Sequence, residues 1–457
     1  MMIYGWDHPY NQVREEIRQI ESEGRIIPEV ILSAFDILDP ISDRYNEEAL
    51  YPLFKQLRVY EQFDFRETWA FSQPNDLQSI KDSRPPESYQ LPRINEEELL
   101  DKLHGAWTGR ACGCALGKPV EIVGMSGNGR QKIKDHLISK DDWPLNDYFT
   151  SKGWTDNKID LICENSLREN ISYMEPDDDI HYTLIGLRVL EKYGPDFTWR
   201  NVANTWNESL PFAAICTAEA QAILNYNMKT HWLNRDKGHI SPDFTSTYNN
   251  PYREWIGAQI RADGWAYCCA GDPELAAEFA WRDAHWTHRG NGIYGEMFAA
   301  AMIAAAFCES DPFKLIEIGI SQIPRTSHLY AALKEGLIWL KECDTWEIFM
   351  DRLDTLYRNM PAVHTVNNSL ICAMSIYYGE MDPHHSVSIA VMAGLDTDCN
   401  GATVGSITGA ACGKRNFHSK YADALNDTIK PLVFGFQEIT MAELAARSYA
   451  LWKNCRR

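Results

Sequence analysis

The chain has 457 residues, 45% of them hydrophobic and 24% charged, which is enough apolar material for one large domain or several of average size. Its 44 basic and 64 acidic residues give a net charge of -20 at pH 7, which disfavours nucleic acids and anionic membranes as partners. A cation or a neutral polar ligand is the expected kind of partner.

The N-terminus lacks the basic and then apolar segments of a secretory signal. The longest membrane-like run, MFAAAMIAAAFC at 297–308, has 12 residues and is too short to span a bilayer. The 12 cysteines are scattered and lack the Cys-x-x-Cys spacing of zinc sites, so we expect buried free thiols. These features predict a soluble, cytoplasmic protein.

Residues 1–94 differ from the rest of the chain in their sequence pattern. Amphipathic helices are predicted around NQVREEIRQIES (11–22) and NEEALYPLFKQLRVYEQF (46–63), followed by an extended, polar segment, SRPPESYQLPR (83–93). We interpret this region as an N-terminal extension. Whether it covers a cleft or forms an interface between subunits stays open.

The segment after the extension is predicted to be a single helical domain, 95–457. Asn95, followed by Glu98, has the spacing of a capping box and predicts a helix start. The long periodic segments that follow are nearly all helical, for example DIHYTLIGLRVLEKYG (179–194) and YGEMFAAAMIAAAFCES (294–310). Repeated strand-like alternation is missing, so the predicted fold class is all-α.

Two of these helices carry glycine at every fourth position. The glycines fall at 105, 109, 113 and 117, and again at 401, 405, 409 and 413. Each glycine inside a helix costs about 0.8–1 kcal/mol relative to alanine, so a run of four needs compensation. A stripe without side chains lets another backbone approach closely. We therefore predict that these helices lie at the centre of the bundle, against each other.

Acidic residues cluster beside the ends of these helices. AGLDTDCNGATVG (393–405) begins like a calcium-binding EF-hand loop, but the twelfth position from Asp396 is Ile407, where that loop needs a glutamate. A second cluster, Asp177 to Asp179, precedes a predicted helix and exceeds what a cap requires. If the helix pair is antiparallel, Glu121 joins the first cluster. Carboxylates about 4 Å apart repel by about 4 kcal/mol per pair, which favours a bound Mg²⁺, Mn²⁺ or Ca²⁺.

Four segments, in this order and spacing, resemble the ADP-ribosylglycohydrolase family, which includes the dinitrogenase reductase-activating glycohydrolases and the J1-crystallins. They are LDKLHGAWTGRACGCALGKPVE, PDDDIHYTL, DPELAAEFAWRDAHWTHRGNGIYGEMFAAAMIAAA and AVMAGLDTDCNGATVGSITGAACG, and the resemblance covers about 98–420. It implies a single orthogonal helical bundle with a pair of Mg²⁺ ions, or in some members Mn²⁺, in a central cleft. It also implies hydrolysis of the bond between the ribose anomeric carbon and a side-chain nitrogen or oxygen.

The resemblance also implies roles for individual residues. Glu121, Asp179 and Asp396 correspond to catalytic acidic residues. Cys399 stands where the family has threonine, as does Asp177, and a soft sulfur is a poor Mg²⁺ ligand. One metal position is therefore expected to be weak, shifted to Asn400, or selective for Mn²⁺. The implied metal ligands are Asp177, Asp178, Asp179, Asp396, Asp398 and Cys399.

The substrate-binding residues depart further from the family. Its Asn-Gly-Ala-x-Met-Arg loop corresponds to 256–261, where isoleucine replaces the asparagine. Arg261 is interpreted either as a phosphate ligand or as an ion-pair residue, and His288 either as a site residue or as a structural one. The candidate substrate-binding residues are Gly257, Gln259, Arg261, His288 and Asn291.

The sequence thus predicts a divalent-metal-dependent hydrolase of a small-molecule or protein-linked ribosyl substrate, most favourably ADP-ribosyl. The cofactor is one or two Mg²⁺ ions, with Mn²⁺ as an alternative. A hydrolase of another ribosyl or furanosyl glycoside or of a nucleoside is the first rival hypothesis, and a non-catalytic ADP-ribose-binding relative is the second. The oligomeric state stays open.

Overall fold

The computed structural model describes residues 7–87, 89–152, 159–233 and 240–455. In these ranges the chain is mostly helical, and turns and extended loops join the helices. The one sheet described has two antiparallel strands, β1 (Thr428–Ile429) and β2 (Ile439–Thr440). The predicted all-α class is confirmed. Among the described helices, none combines the length and the apolar character needed to cross a membrane.

The N-terminal extension contains α1 (Pro9–Ser22), α2 (Glu29–Asp36), α3 (Glu47–Leu57) and α4 (Leu77–Asp82). The helices that follow are α5 (Glu96–Gly117), α6 (Glu121–Met125), α7 (Gly129–Ser139), α8 (Asp178–Tyr193), α9 (Trp199–Ser209), α10 (Thr217–Thr230), α11 (Pro242–Thr247), α12 (Ala262–Cys268), α13 (Pro273–Ala284), α14 (Asn291–Ala306), α15 (Pro312–Ser321), α16 (His328–Glu342), α17 (Trp346–Leu356), α18 (Thr365–Tyr378), α19 (Pro383–Met392), α20 (Thr397–Cys412), α21 (Lys420–Ala424) and α22 (Met441–Cys455).

Helices α1 to α3 form a small hydrophobic cluster of their own, separate from the main core. Val13 and Ile20 of α1 pack there with Leu50 and Phe54 of α3. Both amphipathic segments predicted in this region are helical, although α3 ends at Leu57 and a short 3-10 turn follows it. The apolar faces that the sequence shows in this region are thus buried within the extension itself.

The centre of the main domain is the pair α5 and α20, which pack through their glycine stripes. A Cβ added to Gly109 would lie closer than 3.0 Å to the backbone of Gly405, and one added to Gly113 would meet the backbone of Gly401 in the same way. Gly105 meets Gly409, so the residue numbers run in opposite directions along the contact. The predicted contact between two glycine-striped helices is confirmed, and the pair is antiparallel.

This antiparallel contact determines which helix ends lie together. The C-terminus of α5 at Gly117 lies against Thr397, the first residue of α20. A 3-10 turn at Lys118–Val120 leads directly from α5 into α6, which begins at Glu121. The N-terminus of α8 joins them because Arg110 of α5 hydrogen-bonds to Asp179. Three segments that carry acidic residues therefore reach the same end of the central pair.

Candidate active site

The acidic residues of these three segments form one buried centre. Ligand oxygens of Glu121, Asp396 and Asp398 lie within 4.8 Å of one another, at the starts of α6 and α20. Asp396 and Asp398 are buried, whereas Glu121 and Asp178 are partly exposed. The convergence predicted from the sequence is observed, while the roles assigned to the residues stay predictions.

The turn before α20 positions Asp396. Leu395 has a left-handed backbone with φ of 57°, a conformation that is costly for a branched residue and persists only where the surroundings hold it. Its N–H donates to the carbonyl of Gly124 at 3.1 Å, and the Thr397 hydroxyl donates to the carbonyl of Gly117 at 2.8 Å. The acidic turn is therefore attached to α6 on one side and to the end of α5 on the other.

Asp179 is paired with a buried arginine that the sequence reasoning missed. Arg110 is fully buried, and its Nη2 lies 3.2 Å from Asp179 Oδ1 while its Nη1 donates to Asp263 Oδ2 at 2.8 Å. Two carboxylates compensate the cost of burying the guanidinium. Within the described chain, the second oxygen, Asp179 Oδ2, is buried without a hydrogen-bond partner. One signal in the sequence could have indicated this pair: Arg110 lies on a glycine-striped helix, which is predicted to be at the centre of the bundle.

Asp177 caps α8 and is paired with a lysine. Its Oδ1 accepts the backbone N–H of Asp179 at 2.9 Å, and its Oδ2 lies 3.0 Å from the ammonium of Lys118. Lys118 also donates to the carbonyl of Pro176. Burial acts to raise the pKa of Asp177, but the Lys118 ammonium outweighs it and holds that pKa below its usual value. Asp177 is therefore ionised and paired with the ammonium of Lys118.

The other carboxylates repel one another without such a partner. Burial, reinforced by Asp396 and Asp178, raises the pKa of Glu121 to about 9. Burial with the charges of Asp177 and Asp396 raises the pKa of Asp178 to about 8. Burial and the Glu121 charge raise the pKa of Asp398 well above its usual value. Clusters with such pKa values are typical of sites that bind a cation or transfer protons.

Two thiols lie at the edge of the centre. Cys399 Sγ is within 4.8 Å of ligand oxygens of Asp179 and Asp398, and Cys114 Sγ lies equally close to oxygens of Asp177 and Asp179. Burial raises the pKa of both thiols well above the usual value, so both are neutral, and a metal would have to displace a proton to bind either. Cys114 was not among the predicted site residues.

Asn400 was an alternative ligand in the sequence reasoning, and its amide is engaged within the protein. Its Nδ2 donates to Asn368 Oδ1 at 2.8 Å, and the Cys372 thiol donates to its Oδ1 at 3.4 Å. The backbone N–H of Asp396 also reaches Asn368 Oδ1, at 3.4 Å. Asn368 therefore contacts both the acidic turn and the first turn of α20.

Three of the candidate substrate-binding residues lie in a buried polar cluster around Glu219. Arg261 is 1% exposed and forms ion pairs with Glu219 at 2.8 Å and with Asp283 at 2.9 Å. Gly257 lies so close to Glu219 that an added Cβ would be 2.7 Å from its carboxylate. His288 Nδ1 lies 2.7 Å from the Thr287 hydroxyl. From the sequence, Arg261 was interpreted either as a phosphate ligand or as an ion-pair residue. In the structure it forms ion pairs.

The two remaining candidates are also buried and bonded within the protein. Gln259 accepts a hydrogen bond from the Ser369 hydroxyl at 2.9 Å. Asn291, at the start of α14, donates to Glu254 Oε1 at 2.9 Å and accepts from the N–H of Leu329 at 2.9 Å. Substrate binding by these five residues stays a prediction, and each has a structural role.

The donor set fits a hard divalent cation. Glu121, Asp396 and Asp398 supply carboxylate oxygens, which are the ligands that Mg²⁺ and Mn²⁺ prefer. Asp396 Oδ1 is buried and lacks a hydrogen-bond partner in the described part of the chain. An orphaned carboxylate oxygen inside a protein is costly unless a cation or water satisfies it.

Fold and site together define an all-α protein with a carboxylate centre mounted on two glycine-packed helices. Residues 95–456 match the sequence model of the ADP-ribosylglycohydrolase family, so the chain belongs to this family and is a glycoside hydrolase. Members of the family depend on divalent metals, and the acidic groups described above are of a kind that can hold one.

Comparison with solved structures shows a similarity to an ADP-ribosylglycohydrolase-related protein complex, with 16% sequence identity and a TM-score of 0.49. The matched region covers 79% of this chain and 99% of the other. Among curated proteins, the search found no significant match.

Proposed function

We propose that this glycohydrolase requires a divalent cation and cleaves an N- or O-glycosidic bond at the anomeric carbon of a ribosyl group, with ADP-ribosyl as the favoured glycone. The observation that carries the proposal is the group formed by Glu121, Asp396 and Asp398, whose ligand oxygens lie within 4.8 Å of one another. Three carboxylates held this close beside the orphaned Asp396 Oδ1 favour a cation between them.

Glu121, Asp396 and Asp398 are the residues that would hold the cation, with Asp178 beside them. When bound, Mg²⁺ or Mn²⁺ would supply the positive charge that orients ribose hydroxyls and makes water a better nucleophile. Asp396 and Asp398 are almost fully buried, so their part is to bind and orient.

Glu121 is the residue that we propose exchanges the proton with the attacking water or the leaving group. It is partly exposed, as is Asp178, so these two members of the centre are accessible from solvent. A carboxylate at the edge of the reacting bond is the usual general acid or base in glycoside hydrolysis. Neighbouring carboxylates also stabilise the positive charge that develops at the anomeric carbon.

A substrate panel tests the proposal, assayed with Mg²⁺, with Mn²⁺ and with a chelator. It contains ADP-ribosyl-arginine, ADP-ribosyl-serine, O-acetyl-ADP-ribose, nucleosides and aryl furanosides. We expect metal-dependent turnover of at least one ADP-ribosyl substrate and a loss of about 10²–10⁴-fold in kcat for Glu121→Gln. Glu443→Gln, at an exposed position of α22, is the matched control and should leave kcat unchanged. Turnover of no substrate, or chelator-resistant turnover, contradicts the proposal.

A second candidate is a hydrolase of a ribosyl group without phosphates. The observation that favours it is the burial of Arg261 in ion pairs with Glu219 and Asp283, because an arginine engaged in this way does not offer its charge to a pyrophosphate. Turnover of nucleosides or aryl furanosides without turnover of any ADP-ribosyl substrate would select this candidate.

We place the enzyme in the cytoplasm. All 12 cysteines lie in the described part of the chain and are free thiols, eight of them buried. Proteins of reducing compartments typically keep their cysteines unbridged, which supports this placement.

A further inference from the structure

Three groups of potential metal ligands are found in the described chain, and they differ in charge balance. One group consists of Glu121, Asp396 and Asp398, which are all oxygen donors. The other two groups share Asp179 and each includes a thiol, Cys114 or Cys399.

We propose that the ammonium of Lys118 takes the place of a second metal ion, so that the centre binds one divalent cation, held by Glu121, Asp396 and Asp398. This inference rests on the proposed metal dependence and specifies its stoichiometry.

Lys118 already occupies the position between Asp177 and the end of α5. It is 8% exposed, its Nζ lies 3.0 Å from Asp177 Oδ2, and it also donates to the carbonyl of Pro176. It belongs to the 3-10 turn at Lys118–Val120, which is fixed between α5 and α6. A lysine with so little freedom keeps its positive charge beside Asp177 and the neighbouring Cys114 thiol.

Asp179, which both thiol-containing groups need, is also balanced by a cation. Arg110 Nη2 lies 3.2 Å from Asp179 Oδ1 and hydrogen-bonds to the Asp179 carbonyl at 2.6 Å. The other donors are Asp177 and Cys114 in one group and Asp398 and Cys399 in the other, and a buried thiol is a poor ligand for Mg²⁺. Both groups therefore combine a soft donor with a carboxylate that is already ion-paired with a buried guanidinium.

The group of Glu121, Asp396 and Asp398 has the opposite character. In the described structure, neither Asp396 nor Asp398 forms an ion pair with a lysine or arginine. Asp396 is 4% exposed, and its Oδ1 is without a hydrogen-bond partner in that same part of the chain. Glu121 is partly exposed and gives a cation access from solvent. Within the described structure, the carboxylates that lack an ion pair are thus concentrated on this side of the centre.

A second cation beside Lys118 would be repelled by its ammonium. A charge of +2 about 5 Å from a charge of +1, at an effective dielectric near 20, loses affinity by on the order of 10⁵-fold. The first cation would be held by Glu121, Asp396 and Asp398, none of which forms an ion pair with Lys118 in the described structure. The charge distribution therefore predicts one tight site and, at most, a second site that millimolar metal does not fill.

Metal stoichiometry of the full-length wild type is the direct test. The probe is Mn²⁺, measured by calorimetry and by equilibrium dialysis with elemental analysis, with electron paramagnetic resonance as an independent readout. We expect one Mn²⁺ per chain and the spectrum of an isolated ion. Two Mn²⁺ ions per chain of similar affinity, or the spectrum of a spin-coupled pair, overturn the inference.

Lys118→Met, which removes the charge at similar length, tests the role of the lysine. We expect this variant to bind a second Mn²⁺ and to show a spin-coupled spectrum, whereas Lys118→Arg, the matched control, should keep one. Asp396→Asn should abolish tight binding in either background. A well-folded Lys118→Met protein that binds one Mn²⁺ with wild-type affinity overturns the role assigned to Lys118.

These outcomes are separable from those of the proposed function. A wild type that binds two Mn²⁺ ions and hydrolyses an ADP-ribosyl substrate contradicts the stoichiometry alone. A wild type that binds one Mn²⁺ and hydrolyses no member of the substrate panel contradicts the reaction alone, and the stoichiometry stands.

Discussion

Asn368 contacts the acidic turn from inside the protein and fixes its position. Its Oδ1 accepts from Asn400 Nδ2 and from the Asp396 N–H, while its Nδ2 donates to the carbonyls of Ala362 at 2.7 Å and His364 at 2.8 Å. It is fully buried. A side chain that satisfies both ends of its amide in this way holds its neighbours in one orientation.

Asn368→Ala is predicted to lower Mn²⁺ affinity by about 10–100-fold, because Asp396 loses the group that orients its turn. The unfolding free energy should fall by about 1–3 kcal/mol, because several buried groups lose their hydrogen-bond partner. Calorimetric titration and chemical denaturation measure the two effects. Asn225→Ala is the control, since Asn225 is also fully buried and donates to the carbonyls of Thr245 and Tyr248, away from the centre. Equal losses of Mn²⁺ affinity in both variants would contradict a positioning role.

At the scale of elements, the contact between α5 and α20 depends on the absence of side chains. Gly113 and Gly401 approach so closely that each would place a Cβ against the other's backbone. The pair also fixes the distance between Glu121, which follows α5, and Asp396, which precedes α20. Packing and site geometry are therefore coupled through this contact.

Gly113→Ala is predicted to destabilise the protein by about 1–3 kcal/mol, because overpacking outweighs the gain of about 1 kcal/mol in helix propensity. Mn²⁺ affinity should fall with it, since the helix ends move apart. Chemical denaturation and calorimetry of the same preparation measure both. Gly127→Ala is the control because an added Cβ there meets nothing within 4 Å, and its effect should stay within about 0.5 kcal/mol. A stable Gly113→Ala protein would show that the helices separate at little cost.

The sequence predicted this helix pair because glycine spacing is a local signal with one physical explanation. It also predicted that Glu121, Asp396 and Asp398 converge, since they flank the ends of the pair. It did not predict that Arg110 and Lys118 neutralise Asp179 and Asp177. Such pairings depend on which distant side chains share a buried volume, and neither periodicity nor composition records that. For the same reason the two interpretations of Arg261 were separated only by its burial beside Glu219 and Asp283.

At the scale of the whole molecule, the N-terminal extension is joined to the main domain by buried charges. Arg253 is fully buried, with Nη1 2.9 Å from Glu16 Oε1 and Nε 2.7 Å from Glu23 Oε1. The next residue, Glu254, accepts a hydrogen bond from Gln19 at 3.0 Å. The extension and the segment 253–254 thus form one buried polar network.

This network continues toward the active site. The carbonyl of Glu254 accepts the N–H of Thr365 at 3.0 Å, and its Oε2 lies 3.5 Å from His364 Nε2. His364 is the N-cap of α18 and Thr365 is its first residue, and Asn368, one turn further, contacts the acidic turn at Asp396. A continuous set of contacts therefore runs from α1 to the candidate metal ligands. This path is a reason to treat the extension as a support for the site, in addition to the predicted roles of lid or interface.

Arg253→Met is predicted to lower the unfolding free energy by about 3–5 kcal/mol, because the buried Glu16 and the partly buried Glu23 lose their cation. If the network supports the site, Mn²⁺ affinity also falls, and limited proteolysis cuts the extension faster. Arg58→Met is the matched control, since Arg58 also joins the extension to the main domain in a partly exposed setting, through a hydrogen bond to Asn249 at 2.8 Å and a cation–π contact with Tyr248 at 4.3 Å. Its effect on stability should stay within about 1 kcal/mol, with Mn²⁺ affinity unchanged. An Arg253→Met protein that is destabilised but binds Mn²⁺ as the wild type does would show that the extension stabilises the fold without supporting the acidic turn.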